Sequence, residues 1–420
     1  MKIEKKIESI EIMAPVGSYE ALHAAIQAKA DSVYFGVGQL NMRARAAVNF
    51  TIEDLSKIVS ICQINKVKTY LTLNTIIYDQ EMEEMKRILN EALKQGISAV
   101  IASDWAVITY ARQIGLEVHI STQCNITNLE AVKLYAPYAD VMVMARELSL
   151  EQVAYIIKQI EKENILGPKG DKIKIEIFAH GALCMAVSGK CYLSLDHYNQ
   201  SANRGACLQL CRRPYQLREV GGEIDITVDH EYLLSPKDLK TVDFLDRIVE
   251  AGVRVLKIEG RGRSADYVKT VTKVYKEATQ AYINGNYTQQ NLCLWNETLE
   301  RVYNRGFWSG YYLGRPMGEW TKQYGSKATK RKTYVGKVTN YFSQIKVAEI
   351  KIEAESLHIG DEFVIIGSST GVYEDTLSEL RVDLNTVKQT KKGEYCSIPV
   401  KELLRRGDKV YRLDTPSLEE

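Results

Sequence analysis

Long apolar runs are missing from this chain of 420 residues, and without roughly 18 consecutive apolar side chains no helix can cross a bilayer. Its first residues, MKIEKKIESIEIMAP, also lack the apolar stretch of a secretory signal, so the expected location is the cytoplasm. Net charge is nearly absent: 55 cations stand against 53 anions, for +2 overall. Such a balance gives no whole-molecule attraction to nucleic acid, so phosphate binding would have to rest on a local patch. Proline is scarce, and several sequence signatures are absent. No G-x-G-x-x-G follows the first apolar strand, which argues against a dinucleotide-binding sheet. No G-x-S-x-G elbow occurs, and after His230-Glu231 a leucine, Leu234, takes the place of the second histidine that a zinc-protease helix requires.

What is present, over the first two-thirds, is an alternation of short β-rich runs with amphipathic helical runs. The strands read as Glu11 to Met13, Ser32 to Phe35, Lys68 to Leu73, Ala99 to Ile101, Glu117 to Ile120, Val141 to Met144, Lys172 to Phe178 and Arg254 to Ile258. Helical spacing of apolar residues lies between them, as in Tyr19 to Ala30, Ile52 to Asn65 and Glu81 to Gly96. Eight such units predict a TIM-type (β/α)8 barrel over about residues 1–320, with an irregular insertion at about 180–240. The basic stretch KQYGSKATKRK, Lys322 to Lys332, reads as a linker covering about 321–333. Beyond it, alternating runs separated by Gly360-Asp361 and Gly407-Asp408 predict a small antiparallel β-barrel over about 334–420.

In a TIM barrel the reactive groups stand where strands end and loops begin. The polar residues there include Asn74, Ser121-Thr122-Gln123, Arg146-Glu147, His180 and the run Lys257-Ile258-Glu259-Gly260-Arg261. His180 is the candidate acid-base group, since an imidazole titrates near neutral pH. Lys257 and Glu259, two residues apart, should share one face and form a pair in the barrel mouth. Arg43, Arg45, Arg146 and Arg261 suit a dianionic carboxylate ligand, because the guanidinium fork matches carboxylate geometry.

Half of the chain's eight cysteines fall in one window of the insertion: Cys184, Cys191, Cys207 and Cys211, spaced C-x6-C-x15-C-x3-C. In a reducing compartment such a concentration points to a metal, as a tetrahedral zinc or a four-iron cluster. Zinc sites usually pair close C-x2-4-C knuckles, and only Cys207 and Cys211 have that spacing. Arg204, Arg212 and Arg213 would offset the charge of a thiolate-ligated group. Cys62, Cys293 and Cys396 read as core residues, while Cys124 follows the Ser121-Thr122-Gln123 strand end.

The stretch from Glu176 to Ser194, EIFAHGALCMAVSGKCYLS, resembles the diagnostic segment of the U32 peptidase-like family. The resemblance extends to NRGACLQLCR from Asn203, SPKDL from Ser235, KIEGR from Lys257 and NRGF from Asn304. Members include prephenate-dependent or oxygen-independent hydroxylases that act on the wobble uridine of tRNA, on a cytidine of 23S ribosomal RNA or on the ubiquinone ring. The resemblance implies a [4Fe-4S] cluster on Cys184, Cys191, Cys207 and Cys211, with prephenate as co-substrate. Arg146, Arg261 and Gln123 become the expected co-substrate contacts, and His180, Lys257 and Glu259 the proton carriers. The added C-terminal domain is similar to the second domain of translation factors, as in the tRNA branch. That implies a tRNA anticodon stem-loop as substrate, 5-hydroxyuridine as product and a homologous partner subunit. The family name implies a peptidase or collagenase as the alternative, without a recognisable protease site.

Overall fold

The computed structural model describes residues 9–45, 49–215, 232, 234–314, 319–322 and 325–416. Seven strands run in parallel order: β1 (Glu11–Pro15), β2 (Ser32–Gly36), β3 (Lys68–Leu73), β4 (Ala99–Ala102), β5 (Val118–Ile120), β6 (Val141–Val143) and β7 (Lys174–Gly181). A short β8 (Asp238–Lys240) lies antiparallel on the end of β7, and β9 (Val255–Ile258) then pairs in parallel with both β7 and β1. The eight parallel strands therefore close into the predicted barrel. Outside the ring, β10 (Phe307–Trp308) pairs with β8.

Among the described residues ten α-helices accompany the strands: α1 (Tyr19–Gln27), α2 (Asp54–Ile64), α3 (Met82–Gln95), α4 (Trp105–Gln113), α5 (Leu129–Tyr135), α6 (Leu150–Glu163), α7 (Leu193–Tyr198), α8 (Leu245–Glu250), α9 (Ala265–Ile283) and α10 (Gln289–Glu300). Helix α3 shows why these segments coil. Met85, Ile88, Leu89 and Ala92 recur at helical spacing and are its buried residues, acids occupy the first turn, and Gly96 ends it in the left-handed conformation at φ 80°. In α6 the Ser149 side chain accepts from the Gln152 N–H while Gln152 reaches back to Ser149, a capping box. The helices pack on the outer strand faces in the main core, while Met13, Tyr34, Tyr70, Ile101 and Val255 form a second cluster of strand residues.

The C-terminal domain is an eight-stranded antiparallel sheet folded about its own core. Its strands are β11 (Arg331–Phe342), β12 (Val347–Ile352), β13 (Glu362–Gly367), β14 (Gly371–Thr376), β15 (Arg381–Val382), β16 (Asn385–Thr386), β17 (Tyr395–Pro399) and β18 (Lys409–Asp414). It docks on α1 and α9. Gln27 Nε2 donates to the Thr370 carbonyl at 2.9 Å and Gln27 Oε1 accepts from the Val372 N–H at 3.0 Å, beside Ala24, Ala265, Val364 and Val372.

From Lys327 on, the basic stretch read as a linker is held by hydrogen bonds and ion pairs. Lys327 and Thr329 N–H groups donate to the Asn304 and Glu300 carbonyls, Lys330 pairs with Glu362, and Lys332 pairs with Asp266. β11 already begins at Arg331, inside that stretch. No helix among the described residues is long and apolar enough to cross a membrane.

Candidate functional site

Strand alternation places Glu176 and Phe178 of β7 on the same barrel face as Lys257 of β9. Lys257 Nζ donates to Glu176 Oε1 at 2.8 Å, with both side chains almost wholly buried, and lies 4.6 Å over the Tyr34 ring. Burial pushes the Lys257 amine below its ordinary range, and Glu176 opposes that shift. The second carboxylate oxygen of Glu176 is buried without a partner among the described residues. Glu259 binds elsewhere, accepting from Arg43 Nη2 at 2.7 Å and Nε at 3.2 Å. Burial alone would raise the Glu259 pKa, but Arg43, helped by Arg263 and Arg146, holds it at about 2. The expected Lys257/Glu259 pair is therefore replaced by two separate pairs. Barrel closure brings β7 beside β9, and the loop after β2 delivers Arg43.

Arg261 and Arg146 supply positive charge that no ion pair neutralises among the described residues. Arg261 Nη1 donates to Asn41 Oδ1 at 3.0 Å and Thr72 Oγ1 at 2.9 Å, both neutral. Burial lowers this guanidinium to about 10, so it stays charged at neutral pH. Its seat depends on Gly36, where a Cβ would stand 2.7 Å from Nη1. Arg146 lies 3.7 Å over the Phe178 ring and donates through Nη1 to the Ala182 carbonyl at 3.1 Å, but its Nε is buried without a partner. Arg43, Arg146, Arg261 and Lys257 thus outnumber Glu176 and Glu259. Buried charge of one sign is costly unless compensated, so the excess suits an incoming anion. Beside these groups, Asn74 Nδ2 donates to Gln123 Oε1 at 3.3 Å and Asn74 Oδ1 accepts from the Met42 N–H.

His180 does not join this set. Between Phe178 and His180 the β7–β9 register slips, so that Phe178 faces Lys257 but His180 faces Ile258. One inserted residue turns the next side chain to the opposite face of the sheet. The ring, 1% exposed, packs among Tyr267, Tyr275 and Phe307, with Nδ1 3.4 Å from the Tyr275 hydroxyl. Burial first, then Lys240 and Arg263, lower its pKa to about 3, and the imidazole is neutral. The expectation of His180 as an acid-base group in the mouth is corrected by this bulge.

The cysteine insertion is laced to the strand-end loops. The Ile76 N–H donates to the Asn203 carbonyl, Arg204 pairs with Glu81, and Arg212 donates to Ser235 Oγ at 2.9 Å and the Pro236 carbonyl at 2.8 Å. Gly205, at φ 79°, lies so close to the Asn41 carbonyl that any Cβ would strike it. Cys184 is exposed, and Cys191, Cys207 and Cys211 are half-buried free thiols. Burial raises the Cys211 pKa, Arg212 opposes that, and Cys184, Cys207 and Cys191 lie within electrostatic reach and raise it further. Arg43, whose charge Glu259 chiefly favours, also senses Cys184 and Cys207. The donor set, four thiols flanked by cationic groups, has the chemistry of a tetrathiolate site. Among the described residues no three His, Cys, Asp or Glu side chains already stand at a common metal centre.

Sequence reasoning missed Glu176 and Phe178; the available signal was a lone acid within the otherwise apolar IEIF run of β7. The His230-Glu231 pair lies outside the described residues. A concavity of about 2020 Å3 opens at the other end of the barrel, lined by Glu11, Lys68, Lys174 and Arg254. TIM-barrel chemistry belongs to the end where strands run out, and there the arginines and thiols gather.

A closed parallel barrel with a cationic, thiol-flanked mouth places the chain in the TIM-barrel class. The chain belongs to peptidase family U32, whose pattern matches residues 17–322. It is 56% identical over 408 residues to a protein named collagenase from Porphyromonas gingivalis, covering 97% of this chain and 99% of that one. It is 31% identical over 381 residues to tRNA hydroxylation protein P1 of Bacillus subtilis, covering 88% and 86% respectively. With a 23S rRNA 5-hydroxycytidine synthase of Escherichia coli it shares 34% identity over 276 residues, covering 65% of this chain and 40% of that one.

Proposed function

We propose that this chain hydroxylates an RNA base, forming 5-hydroxyuridine at the wobble position of tRNA with prephenate as co-substrate. The observation that carries the reading is the pair of guanidiniums in no described ion pair, the buried Arg261 and the half-buried Arg146 with its buried Nε, in a mouth where Arg43 lies within electrostatic reach of Cys184 and Cys207. A dicarboxylate would supply both missing negative charges, held between the Arg146 and Arg261 guanidiniums, with Gln123 and Asn74 offering amide contacts. Cys184, Cys191, Cys207 and Cys211 would hold a four-iron cluster, which when bound supplies one-electron chemistry. Lys257, its amine eased towards the neutral form by burial, would exchange a proton with the substrate, and Glu176 would keep that amine oriented. The uridine would enter unpaired from the anticodon loop, since a base must leave its stack to reach a barrel mouth.

Support also comes from the Bacillus relative, whose alignment covers 88% of this chain, more than the residues preceding β11 can supply. The collagenase-named relative favours peptidase activity as the second reading. Against it stands the placement of the described histidines. His180 is sealed among aromatic rings, His119 lies near Glu117, and none is hydrogen-bonded to a serine or cysteine. Two assays separate the readings. The hydroxylase reading expects tRNA from cells lacking the gene to lose 5-hydroxyuridine derivatives, and purified protein to leave gelatin intact. Unchanged tRNA together with gelatin cleavage would reverse it.

A further inference from the structure

The insertion does more than carry thiols. Among the described residues, Met185, Val187, Tyr192 and Tyr198 are large apolar side chains left exposed within residues 185–198, and Tyr192 is 77% exposed. Tyr78, 51% exposed in the loop after β3, meets the insertion through Arg204, whose guanidinium lies 4.0 Å over its ring. Arg213 lies 5.8 Å from the Tyr198 ring. Charge on this segment is one-sided. Residues 182–215 hold Lys190, Arg204, Arg212 and Arg213 against a single carboxylate, Asp196. Arg204 is met by Glu81 and Arg212 by backbone carbonyls, whereas Lys190 and Arg213 are exposed and in no described ion pair.

Resting on the RNA reading above, we infer that this rim is the docking surface for the unpaired stretch of an RNA loop. Bases stack on Tyr78, Tyr192 and Tyr198, and phosphates meet Lys190 and Arg213. Every base offers a π face, so exposed tyrosines hold single strands irrespective of sequence, while cations follow the backbone. A paired helix keeps its base faces covered and would gain only the charge contacts. A collagen-like peptide carries no regular line of anions and would leave Lys190 and Arg213 unmatched. The rim therefore selects for loops before the target base enters the barrel.

The test is fluorescence anisotropy on the full chain, using a labelled anticodon stem-loop, a fully paired hairpin of equal length, and gelatin as competitor. The stem-loop should bind more tightly than the hairpin, and a Tyr192→Ala/Tyr198→Ala variant should lose roughly tenfold or more of stem-loop affinity. A Tyr192→Phe/Tyr198→Phe variant should retain it, and Lys190→Gln/Arg213→Gln should flatten the salt dependence. These exposed substitutions should leave the melting temperature unchanged. Wild-type affinity in the alanine variant, equal binding of hairpin and stem-loop, or displacement of RNA by gelatin would each overturn the inference. If the alanine variant binds normally while cellular tRNA still depends on the gene, only the rim is rejected. If no form of the chain binds RNA and cellular tRNA is unchanged, the RNA reading falls with it.

Discussion

Lys257 and Glu176 face each other across neighbouring barrel strands, 2.8 Å apart and sealed from water. Removing one member of a buried pair strands the other, so Lys257→Met should cost about 3–5 kcal/mol in urea unfolding. The double variant Lys257→Met/Glu176→Leu should recover most of that loss, because two apolar groups fill the space without an orphaned charge. Activity should not return with it, since the amine itself would exchange the proton.

His180 gives the opposite kind of prediction, in which pH rather than catalysis reports the residue. Its pKa is lowered from 6.5 to about 3 in the folded chain, chiefly by burial. Above pH 6.5 neither state binds this proton; as pH falls below that value the unfolded chain takes it up and the native chain does not. Stability should therefore decline on acidification by up to about 1.4 kcal/mol per pH unit from this group, until the native ring titrates near pH 3. His180→Gln should flatten that limb in acid-unfolding curves, and the pH profile of activity should carry no imidazole limb.

Arg146 and Arg261 should reveal themselves through ligand binding. Prephenate should raise the melting temperature of the wild-type chain, and Arg261→Met or Arg146→Met should weaken that binding roughly 10- to 100-fold. Succinate, which has two carboxylates but no ring, should compete weakly. An unchanged prephenate affinity in both variants would separate the cationic mouth from anion binding.

The four thiols should load iron. Anaerobically purified protein should be brown, with absorption near about 400 nm, and Cys184→Ala, Cys191→Ala, Cys207→Ala and Cys211→Ala should each bleach it. A colourless, zinc-bearing preparation would transfer the same ligands to a structural tetrathiolate.

Much of this was legible beforehand. Parallel strands buried on both faces read as short apolar runs, so all eight barrel strands were found within a few residues of their ends. Their closing pattern was not visible. Nothing local tells that Lys257 meets Glu176, 81 residues away, or that Arg43 reaches Glu259 across 216. The bulge after Phe178 was equally hidden, because the run IFAHG has no mark of its inserted residue, and it alone moves His180 out of the mouth. The partners of the basic stretch that runs into β11 were hidden too: its charge was plain, while Glu362 and Asp266, which pair with two of its lysines, lie elsewhere in the chain.

The central claim is base hydroxylation supported by the cysteine insertion. Its most direct test is mass spectrometry of tRNA nucleosides from a strain lacking the gene, complemented with the wild-type chain or with Cys207→Ala. The account predicts that 5-hydroxyuridine derivatives vanish on deletion, return with the wild type and stay absent with Cys207→Ala. Unaltered 5-hydroxyuridine in the deletion strain, or full restoration by Cys207→Ala, would contradict it.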